Sequence, residues 1–501
     1  MKNIPLSLFQ NPVGFDRLMR FLRIKPYEAA FFKGCRFKTE VLKRSLLTIF
    51  VFVFCLFVCG CDAKKSPEAA LAAGQPAGAP LTGGSAKYSD DGKRIITIGT
   101  WYDKYYVSRH TDIHDDPKLS QFESAQMKLD KMREVEKKYN IILNYVNLTF
   151  DGVQESIRAS IPSGRPDVDI YETDLQFGIP AALNGFGVSL REMGLAGTDV
   201  FGPNKVMHSL SLPGQDDIYL FAPSNSGGTP AYVLAFNMNM IKGEGLPNPQ
   251  DLYDRGEWTW QKWREYLKVL TKDIDGDGTA DIYGYSGWWT LLLTNLLFSN
   301  GAGIAPGPRE GLSSKATEEV LDFIKTLYVD DKTARPWDQN WNINNSLYAD
   351  GLAAFWIGSD WIFNEYGGSN LPFEIGVVPW PAGPSGSFEK NKHSQPPGNW
   401  YFIPKGTENP RLVYDVMFDW FNWYNGDTDI GVDTSWSRSM YMNERNFEYA
   451  SIMSSRHGLD MWDFLSTKFN LIPLMNGEFN TAQIVNTYSQ AFQDALDNIY
   501  K

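Results

Sequence analysis

The stretch from residue 93 to 150 reads strand, helix, strand, and that order confines the chain to a small set of folds. "KRIITIGTWYD" (93–103) opens on the β-branched run Ile95 to Ile98, the pattern of a buried strand. "SAQMKLDKMREVEKKYN" then sets Leu129, Met132, Val135 and Tyr139 on one helical face, and "IILNYVNLTF" returns to strand. Such a unit joins parallel neighbours through a crossover, so the chain reads as α/β. The pattern recurs: "DVDIYET" (167–173) is a further strand, and "TWQKWREYLKVL" starts behind Thr259 as N-cap with Trp260, Trp263, Leu267 and Leu270 on one stripe. Tryptophans on such a stripe, with Trp420 in the helix "PRLVYDVMFDWFNWY", are expected in the core. Another helix is expected at "ATEEVLDFIKTLYV", and "FEIGVVPWPAG" reads as strand and turn. With 501 residues, 43% of them hydrophobic, the chain has material for about two domains.

The amino-terminal region carries an address. "SLLTIFVFVFCLFV" (45–58) is an uncharged apolar run of signal-peptide length behind Lys43 and Arg44, short for a membrane span. It ends in "VCGC", a lipobox-like sequence in which Cys61 becomes the lipidated first residue, although Cys59 stands where a small residue is usual. The part before Lys43 is long for an n-region and carries both charge signs, so residues 1–60 read as a signal peptide with a doubtful extension. All four cysteines, Cys35, Cys55, Cys59 and Cys61, lie at or before the cleavage point, which leaves the exported body without thiol chemistry. Residues 61–92, rich in Ala, Gly, Pro and Ser, form a flexible tether. Past residue 60 there are 37 basic and 56 acidic residues, a balance of about −19 that argues against nucleic acid as partner.

Several stretches, in this order, resemble the family 1 extracellular solute-binding proteins, the maltose-binding-protein-like lipoproteins of ABC sugar importers. They are "ITIGTWYD", "EKKYNIILNYV", "SGRPDVDIYETD", "AYVLAFNMNMIKGEGLPNP", "WTWQKWREYLKVLTKDIDGDGTADIYGY", "DGLAAFWIGSDWI", "EIGVVPWPAGPSG" and "YFIPKGTENPRLVYDVMFDWF", spread over residues 95–421. The sequence from Asn422 onward is less familiar. The resemblance implies a two-lobed periplasmic-binding-protein-like fold with a hinge and an interlobe cleft, the chain crossing near "FAPSNSGG" and again near "GVVPWP". It divides the body, approximately, into residues 93–222 plus 380–435 as one lobe and 228–375 plus 436–501 as the other. It further implies a monomeric, membrane-anchored, extracytoplasmic lipoprotein that captures an oligosaccharide or related polar solute and passes it to an ABC permease.

Sugars present hydroxyl edges and apolar C–H faces, so their sites pair flat aromatic rings with carboxylates or amides. By the resemblance, Trp361 occupies a stacking position, with Asp360 beside it as hydroxyl acceptor, and Asp174 matches a sugar-binding carboxylate. Trp101 and Asp103 follow the first strand, Trp288 and Trp289 follow "DIYGYSG", and Trp400 in "PPGNWYF" lies at a strand edge. A surface carbohydrate-active enzyme is the competing reading, because a glycosidase needs two spaced carboxylates and this sequence is acidic. No G-x-S-x-G, H-E-x-x-H or P-loop motif is present, and nothing resembles a hydrolase, so the expectation is a binding protein, not an enzyme. A binding subunit that serves a signalling receptor has the same sequence features.

One loop has its own chemistry. In "KDIDGDGTADIYGY" (272–285), Asp273, Asp275, Asp277, the Thr279 carbonyl and Asp281 fall at positions 1, 3, 5, 7 and 9, with Gly276 and Gly278 permitting a tight turn. Hard carboxylate oxygens suit a structural Ca²⁺. The Glu that an EF-hand carries at position 12 is replaced by Gly284, so no helix pair that opens on binding is implied.

Overall fold

The computed structural model describes residues 87–195, 206–224, 232–337, 347–365, 371–396, 398–427, 429–430 and 432–500. The signal segment, Cys61, most of the tether and much of "FAPSNSGG" lie outside these residues. Among the described residues no helix is long and apolar enough to cross a membrane.

Among the described residues ten strands form two mixed sheets. The first has the order β2-β1-β3-β10-β5-β4 and uses β1 (Arg94–Thr100), β2 (Ile141–Asn147), β3 (Ile170–Thr173), β4 (Met207–Leu210), β5 (Leu220–Pro223) and β10 (Trp400–Phe402). The second has the order β7-β8-β6-β9, from β6 (Val233–Asn237), β7 (Tyr283–Ser286), β8 (Ala353–Gly358) and β9 (Ile375–Val378). β1 pairs in parallel with β2 and β3, as the opening strand–helix–strand pattern requires. β10 runs antiparallel between β3 and β5, and β6 runs antiparallel to β8 and β9.

The local reasons are legible. In the helix Ala125–Tyr139, Leu129, Met132 and Val135 are buried, and Asn140, at φ +53° in the left-handed region, returns its N–H to the Glu136 carbonyl and ends the helix. β2 buries Ile141, Leu143 and Tyr145 in alternation. Thr259 caps the helix Trp260–Leu270 by accepting from the Lys262 N–H at 3.3 Å, and the stripe Trp260, Trp263, Leu267 and Leu270 is wholly inside. Gly358, last in β8, is forced by space: a Cβ there would lie 2.5 Å from the Phe363 ring.

The chain leaves the first sheet after β5, builds the second, and returns as β10. Residues 379–394 stay with the second sheet's helices: Trp258 Nε1 donates to the Pro379 carbonyl, and Asn391 Nδ2 to that of Ser299. The helix Pro410–Phe421 then packs on Ala125–Tyr139, whereas Ser435–Tyr441 packs on Asp360–Glu365 beside the second sheet, so the chain passes between the two sides a third time.

Candidate functional site

Four strands deliver candidate residues just past their carboxyl ends. β1 ends at Thr100 before Trp101, β3 at Thr173 before Asp174, β7 at Ser286 before Trp288, and β8 at Gly358 before Asp360 and Trp361. Loops past the carboxyl ends of strands are where open α/β sheets place ligands.

On the second sheet's side, the Trp288 and Trp361 rings lie 5.9 Å apart and within 13° of parallel. Asp360, 2% exposed, starts the short helix Asp360–Glu365. Its carboxylate accepts the Trp361 N–H at 2.8 Å and the Ser437 hydroxyl at 3.0 Å. Burial nevertheless pushes the Asp360 carboxyl up to about 6, against both hydrogen bonds. From the first sheet's side comes Asp174, the N-cap of the helix Leu175–Leu183, whose Oδ1 accepts the Gln176 N–H at 2.9 Å. Burial, offset by the Gln176 bonds and reinforced by the charge of Asp463, pushes Asp174 to about 6 as well.

Tyr232 links the two sides. It lies next to the start of β6, its phenol is hydrogen-bonded by the Trp361 side chain, and burial followed by the charges of Asp174 and Asp360 pushes its ionisation well up. Asp174 and Asp360, with the stacked indoles and Tyr232, therefore form one aromatic and acidic cluster between the two sheets. A third acid joins it from the carboxyl-terminal part of the chain: the turn Trp462–Phe464 packs on the helix Leu175–Leu183, and Trp289 lies 6.2 Å from Trp462. Tyr232, Trp462 and Asp463 carry no sequence signal, because their partners are far away along the chain.

On β3, between β1 and β10, lies a buried ionic knot. Glu172, 1% exposed, accepts from Tyr102 Oη at 2.6 Å, Lys104 Nζ at 3.0 Å and Asn399 Nδ2 at 3.0 Å. Burial raises its carboxyl, but Lys104 and these hydrogen bonds win and hold it below the usual range. Trp101 packs edge-on against Phe177 of the helix that Asp174 caps, so it adjoins the cleft. Asp103 is exposed and engaged by Asn147 at 3.0 Å and by Lys118 at 3.7 Å. Trp400 opens β10 inside the first sheet, paired with Thr173, and it is 2% exposed with its ring against His208, so its faces are taken by the protein.

The acidic loop joins the helix Trp260–Leu270 to β7. Asp273, Asp275 and Asp281 each bring an oxygen within 4.8 Å of the others. Two oxygens sharing one Ca²⁺ at 2.3–2.6 Å each stand at most about 5 Å apart, so the trio fits a calcium ion. Asp277 lies outside the trio and accepts the Thr279 N–H at 2.7 Å.

Asp360 makes a pH prediction. Its folded pKa is raised, so its contribution to stability is complete below about pH 4 and is lost as pH rises through about 6. Asp360→Asn keeps an acceptor for the Trp361 N–H and a donor for Ser437. It is expected to stabilise the ligand-free protein by up to about 3 kcal/mol at pH 7.5, from about two pKa units, and not at pH 4. Urea unfolding at both values checks this.

A family model described as bacterial extracellular solute-binding protein matches residues 116–429. No curated protein matches the chain in sequence. Among solved structures, the GacH receptor of Streptomyces glaucescens, solved unliganded and with acarbose, matches at 14% identity and TM-score 0.52, over 81% of this chain and 99% of that one. An ABC substrate-binding protein of Listeria monocytogenes in complex with cycloalternan matches at 14% and 0.51, covering 81% and 98%. UgpB from Mycobacterium tuberculosis in complex with glycerophosphocholine matches at 14% and 0.50, covering 81% and 97%. At such identity these likenesses establish the two-lobed fold.

Proposed function

We propose that this chain, which belongs to the bacterial extracellular solute-binding protein family, captures an oligosaccharide or related polar solute in the cleft between its two sheets and hands it to an ABC permease. What supports this reading is the cluster of stacked Trp288 and Trp361 with Tyr232, and Asp174 and Asp360 from opposite sides. Rings cover the apolar faces of a sugar, and carboxylates accept its hydroxyls. Contacts from both sides make the closed state the one that the ligand favours. Lipidation at Cys61 would tether the body to the membrane and keep it within reach of the permease.

Thermal-shift screening against a glycan panel, with tryptophan fluorescence as a second readout, tests the reading. Ligands that stabilise the protein, quench or shift its fluorescence and are recovered intact support it. Turnover of a glycan by the pure protein would replace it with the enzyme reading, which the carboxylates of the cleft keep chemically open.

The acidic loop is proposed as a Ca²⁺ clip held by Asp273, Asp275 and Asp281. The ion would supply positive charge among three carboxylates and fix the path from the core helix to β7 and Trp288. Chelation is therefore expected to lower the melting temperature by a few degrees while solute affinity survives. An unchanged melting temperature would reduce the loop to an acidic turn.

A further inference from the structure

We propose that Ser437, anchored by Asp433, is a positioning residue for Asp360 and Trp361, tying them to the third passage of the chain between its two sides; this rests on the solute-capture reading above. Asp360 has its two carboxylate oxygens engaged by different elements. Oδ1 accepts the Trp361 N–H of its own short helix at 2.8 Å, and Oδ2 accepts the Ser437 hydroxyl, from the helix Ser435–Tyr441, at 3.0 Å. Asp360 and Ser437 are 2% and 5% exposed, so water is a poor substitute for either partner.

Just before this helix, the same segment is fastened to the first sheet's side. Asp433 Oδ2 accepts the Ser124 N–H at 2.8 Å and the Ser124 hydroxyl, at the start of the helix Ala125–Tyr139, and lies 3.8 Å from Lys128 Nζ. Asp433 Oδ1 accepts the Ser435 N–H at 3.1 Å and the Ser435 hydroxyl at 2.6 Å, and that hydroxyl oxygen accepts the Glu123 N–H at 3.2 Å. Burial works to raise the Asp433 carboxyl, but the bonds from Ser124 and Ser435 hold it at about 2, so the anchor is charged at neutral pH. Aromatic contacts repeat the division. Trp436 lies 6.0 Å from Phe122 on the first side, and Tyr441 meets Phe363, of the Asp360 helix, edge-on at 5.4 Å.

Asp433 and Ser437 are four positions apart, about one helical turn, which leaves little slack between anchor and positioning bond. Movement of one side against the other therefore pulls on Ser437. Its withdrawal would leave a buried carboxylate oxygen without its partner, a larger cost than losing an exposed bond. The placement of Asp360, and of Trp361 beside it, is thus coupled to the angle between the two sides, and such coupling is reciprocal. A solute that engages Asp360 alters the hold on the passage, and the passage decides how the carboxylate is presented to the solute. Asp433, Trp436 and Ser437 lie past residue 429, where the family match ends, so this tie belongs to the chain's own carboxyl-terminal part.

The test reads the full chain, free of solute and labelled with 5-fluorotryptophan, by fluorine NMR at neutral pH, with the resonances identified through Trp361→Phe, Trp288→Phe and Trp436→Phe. Ser437→Ala is expected to move the Trp361 resonance by more than its linewidth. Asp433→Asn turns an amide N–H towards the Ser124 N–H, and the partners of Asp433 are Ser124, Ser435 and Lys128, not Asp360 or Trp361. It is nevertheless expected to move the Trp361 resonance, and the double substitution to differ from the sum of the two single shifts. Ser124→Ala, which removes one donor from Asp433 and no charge, makes the same measurement if Asp433→Asn fails to fold. A merely structural Ser437 would lower the melting temperature and leave Asp433→Asn invisible at Trp361. A Trp361 resonance that stays in place while that of Trp436 moves, or additive shifts in the double substitution, overturns the proposal. Because no solute enters this measurement, the tie can fail while glycan binding stands, and an empty glycan screen overturns solute capture without altering the fluorine result.

Discussion

Glu172→Ala is expected to destabilise the protein by about 3 kcal/mol, the lower end of what breaking a buried ion pair costs. Glu172 is fully enclosed and holds Tyr102, Lys104 and Asn399 at once, so its loss strands an ammonium and two hydrogen-bonding groups. Lys104, with 22% of its side chain exposed, can turn partly to water, which places the cost at the lower end. Urea unfolding should show a lowered midpoint with an unchanged slope. Glu172→Gln, which retains an acceptor, should fall between. The pH sign is opposite to that of Asp360: a carboxyl held low contributes stability at neutral pH that is lost as acid protonates it. A wild-type-like midpoint for Glu172→Ala would mean that the knot holds nothing together.

Trp361→Ala is expected to weaken solute binding by about 2–4 kcal/mol, roughly 30-fold to 1000-fold, the range for an aromatic anchor at the centre of a binding surface. Trp361 is half-buried, stacks on Trp288 and bonds Tyr232, so truncation removes one wall of the cleft and frees the other two side chains. The fold should survive, because Asp360 and Ile362 anchor the short helix from inside. Calorimetry against the best ligand from the panel measures the loss. Affinity within two-fold of wild type would move the binding site away from this pair of rings.

The elements that the sequence made legible are those set by near neighbours along the chain. The β-branched run of β1, the stripe Leu129, Met132 and Val135, and the Thr259 cap each depend on residues a few positions apart. The family resemblance pointed to Trp361 and the position after "DIYGYSG" to Trp288, though neither to the fact that the rings stack across 73 positions. Glu172 was hidden in a strand that reads as ordinary alternation, because Asn399 joins it from 227 positions away. Asp463 and Trp462 were hidden for the same reason. Trp400 shows the converse: the sequence places it beside a strand, but not its packing against His208, a neighbour that sequence order does not reveal.

The late return of β10 bears on how the protein comes to be folded at all. Trp400–Phe402 pairs with both β3 and β5, strands that are complete by residue 223. Until those three residues are in place, β3 and β5 each present an unpaired edge, and the first sheet stays divided. Contacts of such sequence separation slow folding and leave edges open to wrong partners. A chain interrupted anywhere before residue 400 would therefore leave those edges open to wrong partners rather than give a smaller working protein.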